Sequence, residues 1–411
     1  MSKISDILSE APPGPWISFE YYPPRTEQGV SNLYERLERM LTLNPSFIDF
    51  TWGAGGSTSD LTMELTVNSK ERMGFTPNMH LTCTNMEEEK IVKALEEARS
   101  NNIRNIVALR GDPPQGQDEW VAVEGGFSCA LDLVEYIRRE HGDYFHISVS
   151  GYPEGHPDTI QQLSRPLSDT EKRRCGTMMV PKKGSNEEQE EEEEVVVVCP
   201  DDVFEKEIEY LKQKVDAGAD MIITQMFFDP EVYGDFVTAC REVGITVPIV
   251  PGIMCINGQR GFKRMTGFCK SRLPDGLNER VQGCKNDDEV KVLGVKEGVA
   301  MCTRLLELGA PGLHFYTLNL ERVVLGVLEG MGLRENYLDG MGDDDAKLMG
   351  QGTVVTSVPS SNDITSLVPP LTIFDFPMDY RVADISLADF GRKEIELAEI
   401  EVRFNKINII F

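Results

Sequence analysis

The sequence is poor in the residues that build metal centres and disulfide frameworks. It holds only five histidines, and its nine cysteines are scattered singly, with no CxxC pair and no His–Cys cluster. Isolated cysteines of this kind are typical of free thiols in a reducing cytosol, and they argue against a structural zinc site. We therefore predict a cytoplasmic protein with free thiols and no bound metal.

Long apolar runs and a surplus of basic residues are also missing. No run approaches the roughly 20 residues that span a bilayer. The N-terminal MSKISDILSEAPPGPW lacks the charged-then-apolar order of a signal peptide, so we expect no export. The formal net charge of −27 disfavours nucleic-acid binding, because phosphates need a basic partner surface. These absences predict a protein without membrane or nucleic-acid partners.

Eight short apolar segments lie between Trp16 and Asn319, and most of them end on a polar or charged residue. They read WISFEYY, FIDFTWG, NMHLTC, NIVALRGD, HISVSGYP, MIITQMFF, PIVPGIM and LHFYTLN. Continuous apolar runs of this length are typical of strands buried on both faces of a parallel sheet. Helix-like stretches such as MEEEKIVKALEEARS separate them. The alternation predicts an α/β fold, a (β/α)₈ TIM barrel, with functional residues at the C-terminal ends of the strands.

We assign residues 1–335 to the barrel, 336–375 to a linker rich in Gly, Ser, Asp and Pro, and 376–411 to a short helical tail. The gap between the fifth and sixth apolar segments is too long for one helix. We interpret residues 176–200 as an acidic, disordered insertion, because a run of glutamates repels itself. The valines of Val195–Val198 are interpreted as an incidental apolar flank of this insertion, with a short strand as the alternative.

Two carboxylates end predicted strands. Glu20 closes the first apolar segment beside Tyr21 and Tyr22, and burial against aromatic rings should raise its pKa toward the range of a general acid. Asp112 closes the fourth segment in LRGDPP, where two prolines fix the chain. The alternatives are structural ion pairs, which for Asp112 would be formed with Arg110.

Other polar residues lie at or near strand ends. His80 and His156, together with Asp112, leave open a metal-dependent hydrolase or aldolase, although no HxH or HxxxH pair occurs. Gln225 in ITQMFFD offers a donor and an acceptor together, which suits the amide edge of a heterocycle. Lys214, on the preceding predicted helix, could reach a phosphate or simply face solvent.

Eight motifs resemble, in order, the catalytic domain of the methylenetetrahydrofolate reductase family: SFEYYPPR, FTWGAGGST, HLTCT, LRGDPP, GYPEGHP, KVDAGADMIITQMFFD, PIVPGIM and HFYTLN. The resemblance covers roughly Trp16 to Leu333. It implies a cytoplasmic, homo-oligomeric flavoprotein of one-carbon metabolism whose barrel binds FAD without a Rossmann domain. Such an enzyme reduces 5,10-methylenetetrahydrofolate to 5-methyltetrahydrofolate by a ping-pong route. NADH or NADPH reduces the flavin and leaves, and the folate then takes the hydride.

The resemblance also implies roles for individual residues. Glu20 would protonate the pterin nitrogen as the five-membered ring opens, and Asp112 would favour the cationic iminium by its negative charge. Gln225 and Tyr316 would hold the substrate together with these two carboxylates. The positions that would contact FAD are Thr51, Trp52, His80, Arg110, Gly111, Asp112, Cys129, Ala130, Tyr152, His156, Glu207 and Lys214.

Four positions depart from the family pattern. Cys129 replaces the tyrosine of a Tyr-Ala pair, and Glu207 replaces an aspartate that contacts the flavin. Leu320 stands where some members carry an arginine, and Cys255 replaces the proline of a GIxP turn. Because Asp112 and the proton donor are retained, we expect an active enzyme. A non-catalytic, truncated paralogue that binds folate stays open as the alternative.

The C-terminal tail carries a separate resemblance. Where eukaryotic family members continue into a regulatory domain, DYRVADISLADFGRKEIELAE is similar to the N-terminus of adenosylhomocysteinase. The similar stretch is roughly twenty residues long and holds none of that enzyme's catalytic motifs. We therefore assign it no activity.

Overall fold

The computed structural model describes residues 2–12, 14–53, 56–83, 86–111, 125–181 and 192–334 of the 411-residue chain. The strands are β1 (Trp16–Tyr21), β2 (Phe47–Phe50), β3 (Pro77–Thr82), β4 (Asn105–Leu109), β5 (His146–Gly151), β6 (Gly176–Pro181), β7 (Glu192–Val197), β8 (Met221–Thr224), β9 (Ile249–Val250), β10 (Gly252–Met254) and β11 (Gly312–Tyr316). The helices are α1 (Ile4–Glu10), α2 (Glu27–Leu41), α3 (Ser59–Met73), α4 (Glu88–Ser100), α5 (Ala130–His141), α6 (Asp169–Arg174), α7 (Asp201–Asp216), α8 (Pro230–Glu242), α9 (Gln259–Cys269), α10 (Leu277–Gly283), α11 (Asp287–Glu307) and α12 (Arg322–Gly330).

One parallel sheet closes into a barrel. Its strand order is β10-β11-β1-β2-β3-β4-β5-β8-β9, and β9 and β10 are two halves of one barrel strand interrupted at Pro251. The first half pairs with β8 and the second with β11, which completes the ring. A proline has no N–H for the ladder, so it breaks the strand without opening the barrel. The predicted (β/α)₈ barrel is confirmed.

The helices cover the barrel with their apolar faces. In α2, the Thr26 hydroxyl caps the first turn by accepting a hydrogen bond from the Gly29 N–H at 3.0 Å. Leu33, Leu37 and Met40 of this helix are fully buried, at the i, i+4, i+7 spacing of one helical face. The helices thus pack on the outside of the barrel. Polar side chains are positioned by the barrel interior and by the rim that the strand ends form.

The insertion contains an ordered antiparallel hairpin. Strands β6 and β7 pair along their whole length, and Val195 and Val197 are buried in a small cluster with Ile160 and Cys199. Val196 between them is exposed, as expected for the period of two in a strand. The predictions of disorder and of an incidental valine flank were therefore wrong for β6 and β7. The most acidic part, residues 182–191, lies outside the described residues.

Several predictions fall on parts of the chain that the structure does not describe. These are Asp112, the linker of residues 336–375 and the tail of residues 376–411. Within the described ranges, no helix is both long enough and apolar enough to cross a bilayer.

Candidate active site

Glu20 lies at the C-terminal end of β1 and faces the barrel interior. In the parallel register it is the partner of Asp49 on β2 and of Tyr316 on β11, so the three side chains point to the same side of the sheet. Glu20 is 4 % exposed and Asp49 is fully buried. The two carboxyl groups therefore share a space from which water is largely excluded.

Two imidazoles surround these carboxyl groups. His80 Nε2 lies 3.4 Å from Glu20 Oε2 and 3.2 Å from Asp49 Oδ2. His314 Nε2 lies 3.9 Å from Glu20 Oε2, and the other ring nitrogen of His314 is 2.9 Å from the Ser18 hydroxyl. We call Glu20, Asp49, His80 and His314 the acid–imidazole cluster. All four side chains are at most 4 % exposed.

The electrostatics of this cluster favour a proton on Glu20. Burial raises the pKa of Glu20 well above its ordinary value, and the charge of Asp49 raises that pKa further. Burial lowers the pKa of His314 to about 4, so its imidazole is neutral at pH 7. The rise in pKa agrees in direction with the prediction from sequence. Glu20 can therefore act as a carboxylic acid near neutral pH.

Tyr316 and Gln225, two of the residues predicted to hold the substrate, are linked through Thr224. The Tyr316 hydroxyl donates to the Thr224 carbonyl at 2.5 Å, next to Gln225 in the chain. Gln225 is 4 % exposed, and its Oε1 accepts a hydrogen bond from the Met226 N–H at 2.8 Å. A Cβ on Gly252 would lie 2.2 Å from the Thr224 carbonyl oxygen and 2.4 Å from the Tyr316 hydroxyl. Glycine is thus required there for Tyr316 to reach β8.

A strained turn after β11 ties the ends of the first and last barrel strands together. Asn319 accepts a hydrogen bond from the Tyr22 N–H at 3.1 Å and donates to the Tyr22 carbonyl at 2.9 Å. The Thr317 hydroxyl donates to the Glu20 carbonyl at 2.6 Å. Leu318 and Asn319 adopt φ values of 51° and 54°, a left-handed conformation that is costly for residues other than glycine. The turn thereby fixes the backbone that presents Glu20.

A second group of predicted site residues gathers at the ends of β4 and β5. Lys214 of α7 is 3 % exposed, donates from Nζ to the Ser150 carbonyl at 2.9 Å, and lies 5.1 Å from the Tyr210 ring centroid. Arg110 Nη2 lies 3.5 Å from His156 Nε2. We call Arg110, Tyr152, His156, Glu207 and Lys214 the cationic cluster.

Glu207 fixes the loop that carries His156. One carboxylate oxygen accepts from the His156 backbone N–H at 2.9 Å, and the other accepts from the Thr159 hydroxyl at 2.8 Å. The Tyr152 ring packs on the imidazole of His156, with centroids 4.8 Å apart. Glu207, which replaces the aspartate of the family pattern, therefore still places a carboxylate against this loop.

Burial sets the charge of the cationic cluster. It lowers the pKa of Lys214 to about 8 and that of His156 to about 4. At pH 7 the Lys214 ammonium therefore still carries its charge, whereas His156 is neutral. The guanidinium of Arg110 lies 3.6 Å from the exposed carboxylate of Asp158, so Lys214 is the buried positive charge of this cluster.

The other predicted cofactor residues lie beside these two clusters. Thr51 and Trp52 directly follow β2 and are buried, and the Thr51 carbonyl accepts from the Thr62 hydroxyl at 3.0 Å. Gly111 has a φ of +87°, which favours glycine. Cys129 precedes α5 and Ala130 begins it. Their neighbour Leu131 donates its N–H at 3.3 Å to the hydroxyl of Tyr210, the ring beside Lys214.

The alternative of a metal site built on His80 and His156 finds no support among the described residues, because neither histidine belongs to a group whose ligand atoms could hold one ion. Within the described ranges, the group with His and carboxylate atoms close enough for one ion is Glu20, Asp49 and His314, at separations within 4.8 Å. His80 Nε2 already contacts both carboxyl groups, which favours proton sharing at this place.

Asp49, His314 and Ser18 were missed from the sequence. Asp49 is the lone charged residue of FIDF, and His314 the lone imidazole of LHFYTLN. An isolated polar residue in an otherwise apolar strand was the available signal. Asp49 lies two residues before Thr51, a predicted cofactor contact, so both side chains lie on the inner face of the sheet.

Comparison with known proteins agrees with this architecture. The family model described as methylenetetrahydrofolate reductase matches residues 3–180 and 192–332. The maize protein named methylenetetrahydrofolate reductase (NADH) 1 is 47 % identical over 337 residues, which cover 82 % of this chain and 51 % of the maize protein.

More distant relatives match the same part of the chain. Methylenetetrahydrofolate reductase 2 of Saccharomyces cerevisiae is 39 % identical over 323 residues, which cover 78 % of this chain and 47 % of the yeast protein. The 5,10-methylenetetrahydrofolate reductase of Pectobacterium carotovorum is 32 % identical over 321 residues, covering 77 % of this chain and 90 % of the bacterial protein. The chain thus spans about half the length of its plant and yeast relatives. Its barrel, its motifs and these matches place the chain in the methylenetetrahydrofolate reductase family.

Proposed function

We propose that this chain reduces 5,10-methylenetetrahydrofolate to 5-methyltetrahydrofolate with NAD(P)H by a ping-pong mechanism. The observation that carries the proposal is Glu20, a buried carboxylic acid with a raised pKa at the mouth of a barrel of this family. An acid at this place suits a reaction in which an amine must leave a carbon atom.

FAD is the cofactor that we propose for this barrel. Whether FAD suits this barrel is judged from the charges of the cationic cluster. Lys214 is buried there, and among the described residues no carboxylate lies within 4.0 Å of its ammonium group. A buried ammonium of this kind is stabilised by an anion, and the diphosphate of FAD supplies one. The chemistry that FAD supplies when bound is hydride transfer between the nicotinamide and the folate.

The cationic cluster would hold the cofactor by charge and by shape. Lys214 and Arg110 would donate charge-assisted hydrogen bonds to anionic oxygens of the cofactor, and such bonds are stronger than those between neutral groups. Tyr152 and His156 offer a ring surface that is fixed from behind by Glu207. Thr51, Trp52, His80, Gly111, Cys129 and Ala130 are proposed to complete the contacts, together with Asp112 beyond the described residues.

Glu20 would deliver the proton. An amine leaves poorly unless it is protonated, so opening of the five-membered ring needs an acid near the pterin nitrogen. The raised pKa favours the protonated form of Glu20, and the strained turn at Leu318 and Asn319 holds its backbone. Asp112 is proposed to favour the positive charge that develops on the substrate.

Gln225 and Tyr316 would orient the folate. Both lie at the mouth of the barrel, and the Tyr316 hydroxyl is anchored on the Thr224 carbonyl. The Gln225 amide supplies both a donor and an acceptor, the pattern that a pterin ring presents in reverse. Correct placement of the pterin beside Glu20 accounts for a large part of the catalysis expected here.

An anaerobic titration of the two half-reactions tests the proposal. The purified 411-residue chain should be yellow, and NADH or NADPH should bleach its flavin absorption. Addition of 5,10-methylenetetrahydrofolate should then restore the colour, with 5-methyltetrahydrofolate as the product. Comparing the two nicotinamides at equal concentration identifies the electron donor.

Two outcomes would contradict the proposal. A folded, colourless protein that takes up no FAD would exclude a flavin enzyme. A protein that binds FAD and folate but does not restore the flavin colour would instead be a non-catalytic paralogue.

A further inference from the structure

Asp49 has no place in the reaction as described so far, yet it lies closer to His80 than Glu20 does. It is fully buried, and among the described residues the basic side chain within 4.0 Å of its carboxyl group is His80. A buried aspartate without a lysine or arginine partner is costly, because its charge loses hydration without gaining a counter-ion. A buried aspartate of this kind therefore requires a specific interaction that compensates for its lost hydration.

The compensating interaction is shared with Glu20. The two carboxyl groups are register partners on adjacent strands, and His80 Nε2 lies 3.2 Å from one and 3.4 Å from the other. The buried oxygens Glu20 Oε2 and Asp49 Oδ1 have no hydrogen-bond partner in the described part of the chain. Two carboxyl groups this close in a dry interior do not both ionise at low cost.

We propose that Glu20 and Asp49 share one proton through the contact of both with His80, and that Asp49 is the positioning residue that keeps this proton on Glu20. This inference rests on the proposed function, since it explains why Glu20 is ready to donate. Asp49 keeps the proton on Glu20 by its negative charge, because ionisation of Glu20 would place a second negative charge next to that of Asp49. Among the described residues, the other titratable groups that face Glu20 are His314 and Tyr316, both on β11.

The surrounding groups are consistent with this arrangement. Burial keeps His314 neutral at pH 7, and burial raises the pKa of the Tyr316 hydroxyl well above its ordinary value. Neither group therefore supplies a fixed positive charge that would draw the proton away from Glu20. Asn78 donates to the same Asp49 oxygen that faces His80, at 3.3 Å, and so orients that carboxyl group.

The variant Asp49→Asn tests the proposal, because it removes the charge and keeps the shape of the side chain. We expect Glu20 to lose its proton at a lower pH, by on the order of one pH unit. The basic limb of the folate half-reaction should move to lower pH by the same amount. Reduction of the flavin by NAD(P)H should not change. Ser148→Ala is the matched control, since Ser148 is buried beside Asn78 but does not contact either carboxyl group.

A second measurement does not depend on activity. Infrared difference spectra between the wild type and Glu20→Gln, both labelled with ¹³C-glutamate, should show a protonated carboxyl band of Glu20. The subtraction removes the band of Glu154, whose pKa burial also raises, to about 8. In Asp49→Asn that band should titrate at lower pH than in the wild type and in Ser148→Ala.

The two measurements separate the possible failures. An unchanged or higher titration point in Asp49→Asn would overturn the proton-sharing pair, even if the enzyme is active. A loss of both half-reactions at every pH, with the infrared titration unmoved, would make Asp49 a structural residue and also overturn it. A wild type that lacks folate reduction, combined with an infrared titration that moves to lower pH in Asp49→Asn, would contradict the proposed function alone.

Discussion

The acid–imidazole cluster and the cationic cluster lie at the same end of one barrel but differ in almost every physical respect. The first is carried by strands β1, β2, β3 and β11, is almost fully buried, and combines two carboxyl groups with two imidazoles. The second lies at the ends of β4 and β5 and on α7, is partly exposed, and carries the charges of Arg110 and Lys214. Burial therefore controls a proton in one cluster and a positive charge in the other.

This difference follows from where each side chain starts. Glu20 and Asp49 project from within adjacent strands, and both are almost fully buried. Arg110 and His156 follow their strands, in loops open to the rim. The interior suits a group that must keep its proton, and the rim suits a group that must meet a large anionic ligand.

Glu20→Gln should have the largest effect, and only on the chemistry of the first cluster. Loss of the acid should slow the folate half-reaction by roughly 10²- to 10⁴-fold, because glutamine keeps the shape but supplies no proton. Reduction of the flavin by NAD(P)H should remain, as should the FAD content. Rapid-mixing absorbance of each half-reaction checks this, and an equal loss in both would mean that Glu20 is structural.

Lys214→Met should act on the second cluster alone. Removing the ammonium should weaken FAD binding about 10- to 100-fold, the effect of losing a charge-assisted hydrogen bond. At saturating FAD the folate half-reaction should be close to that of the wild type. Lys212→Met is the matched control, since Lys212 lies on the same helix but pairs with Asp216. Equal weakening by both variants would refute a specific role for Lys214.

The pH dependence of FAD binding should reveal the contribution of the Lys214 ammonium in the wild-type protein. The pKa of Lys214 is lowered to about 8 by burial, so its charge is present below pH 8 and is lost as the pH rises above it. We expect FAD affinity to fall by up to about tenfold per pH unit above that point. Fluorescence titration with FAD from pH 7 to about pH 9.5 measures this, and the slope should be absent in Lys214→Met. A slope of equal size in that variant would assign the dependence to another group.

Val197→Ala in the hairpin should have the smallest effect and should reach only the cationic cluster. It removes a buried side chain and should lower the free energy of unfolding by about 1–3 kcal/mol. Cys199 lies two residues further on and accepts from the Thr159 hydroxyl, which also bonds Glu207, so FAD affinity should fall slightly. The exposed Val196→Ala is the control and should change stability by less than about 0.5 kcal/mol. Thermal unfolding and FAD titration of both variants check this, and a shift in the Glu20 infrared band would contradict it.

Much of the barrel was predictable because buried parallel strands need continuous apolar segments. All eight segments became barrel strands, and Glu20 was placed at the end of the first. The hairpin was not recognised because Val195–Val198 is apolar at every position and follows a run of glutamates. The alternation of buried and exposed valines exists only once Ile160 and Cys199 lie against one face of the strand.

The candidate site likewise contains residues that could be predicted from the sequence and residues that could not. Glu20, Tyr316 and Lys214 were found from strand ends and from family motifs, which are properties of the chain. Asp49 and His314 were not, since each is a single polar residue inside an apolar strand. Their importance depends on register, which brings β1 between β2 and β11.

The sequence by itself determined the order of strands and helices, the family, and the identity of the acid that we propose as proton donor. Those properties depend on local pattern and on motifs along the chain. Only the tertiary structure decided that Asp49, His80 and His314 surround that acid and that Lys214 is buried beside the rim. Closure of the barrel brings together residues that are up to about 300 positions apart, and exclusion of water from the space between them then sets where the protons lie.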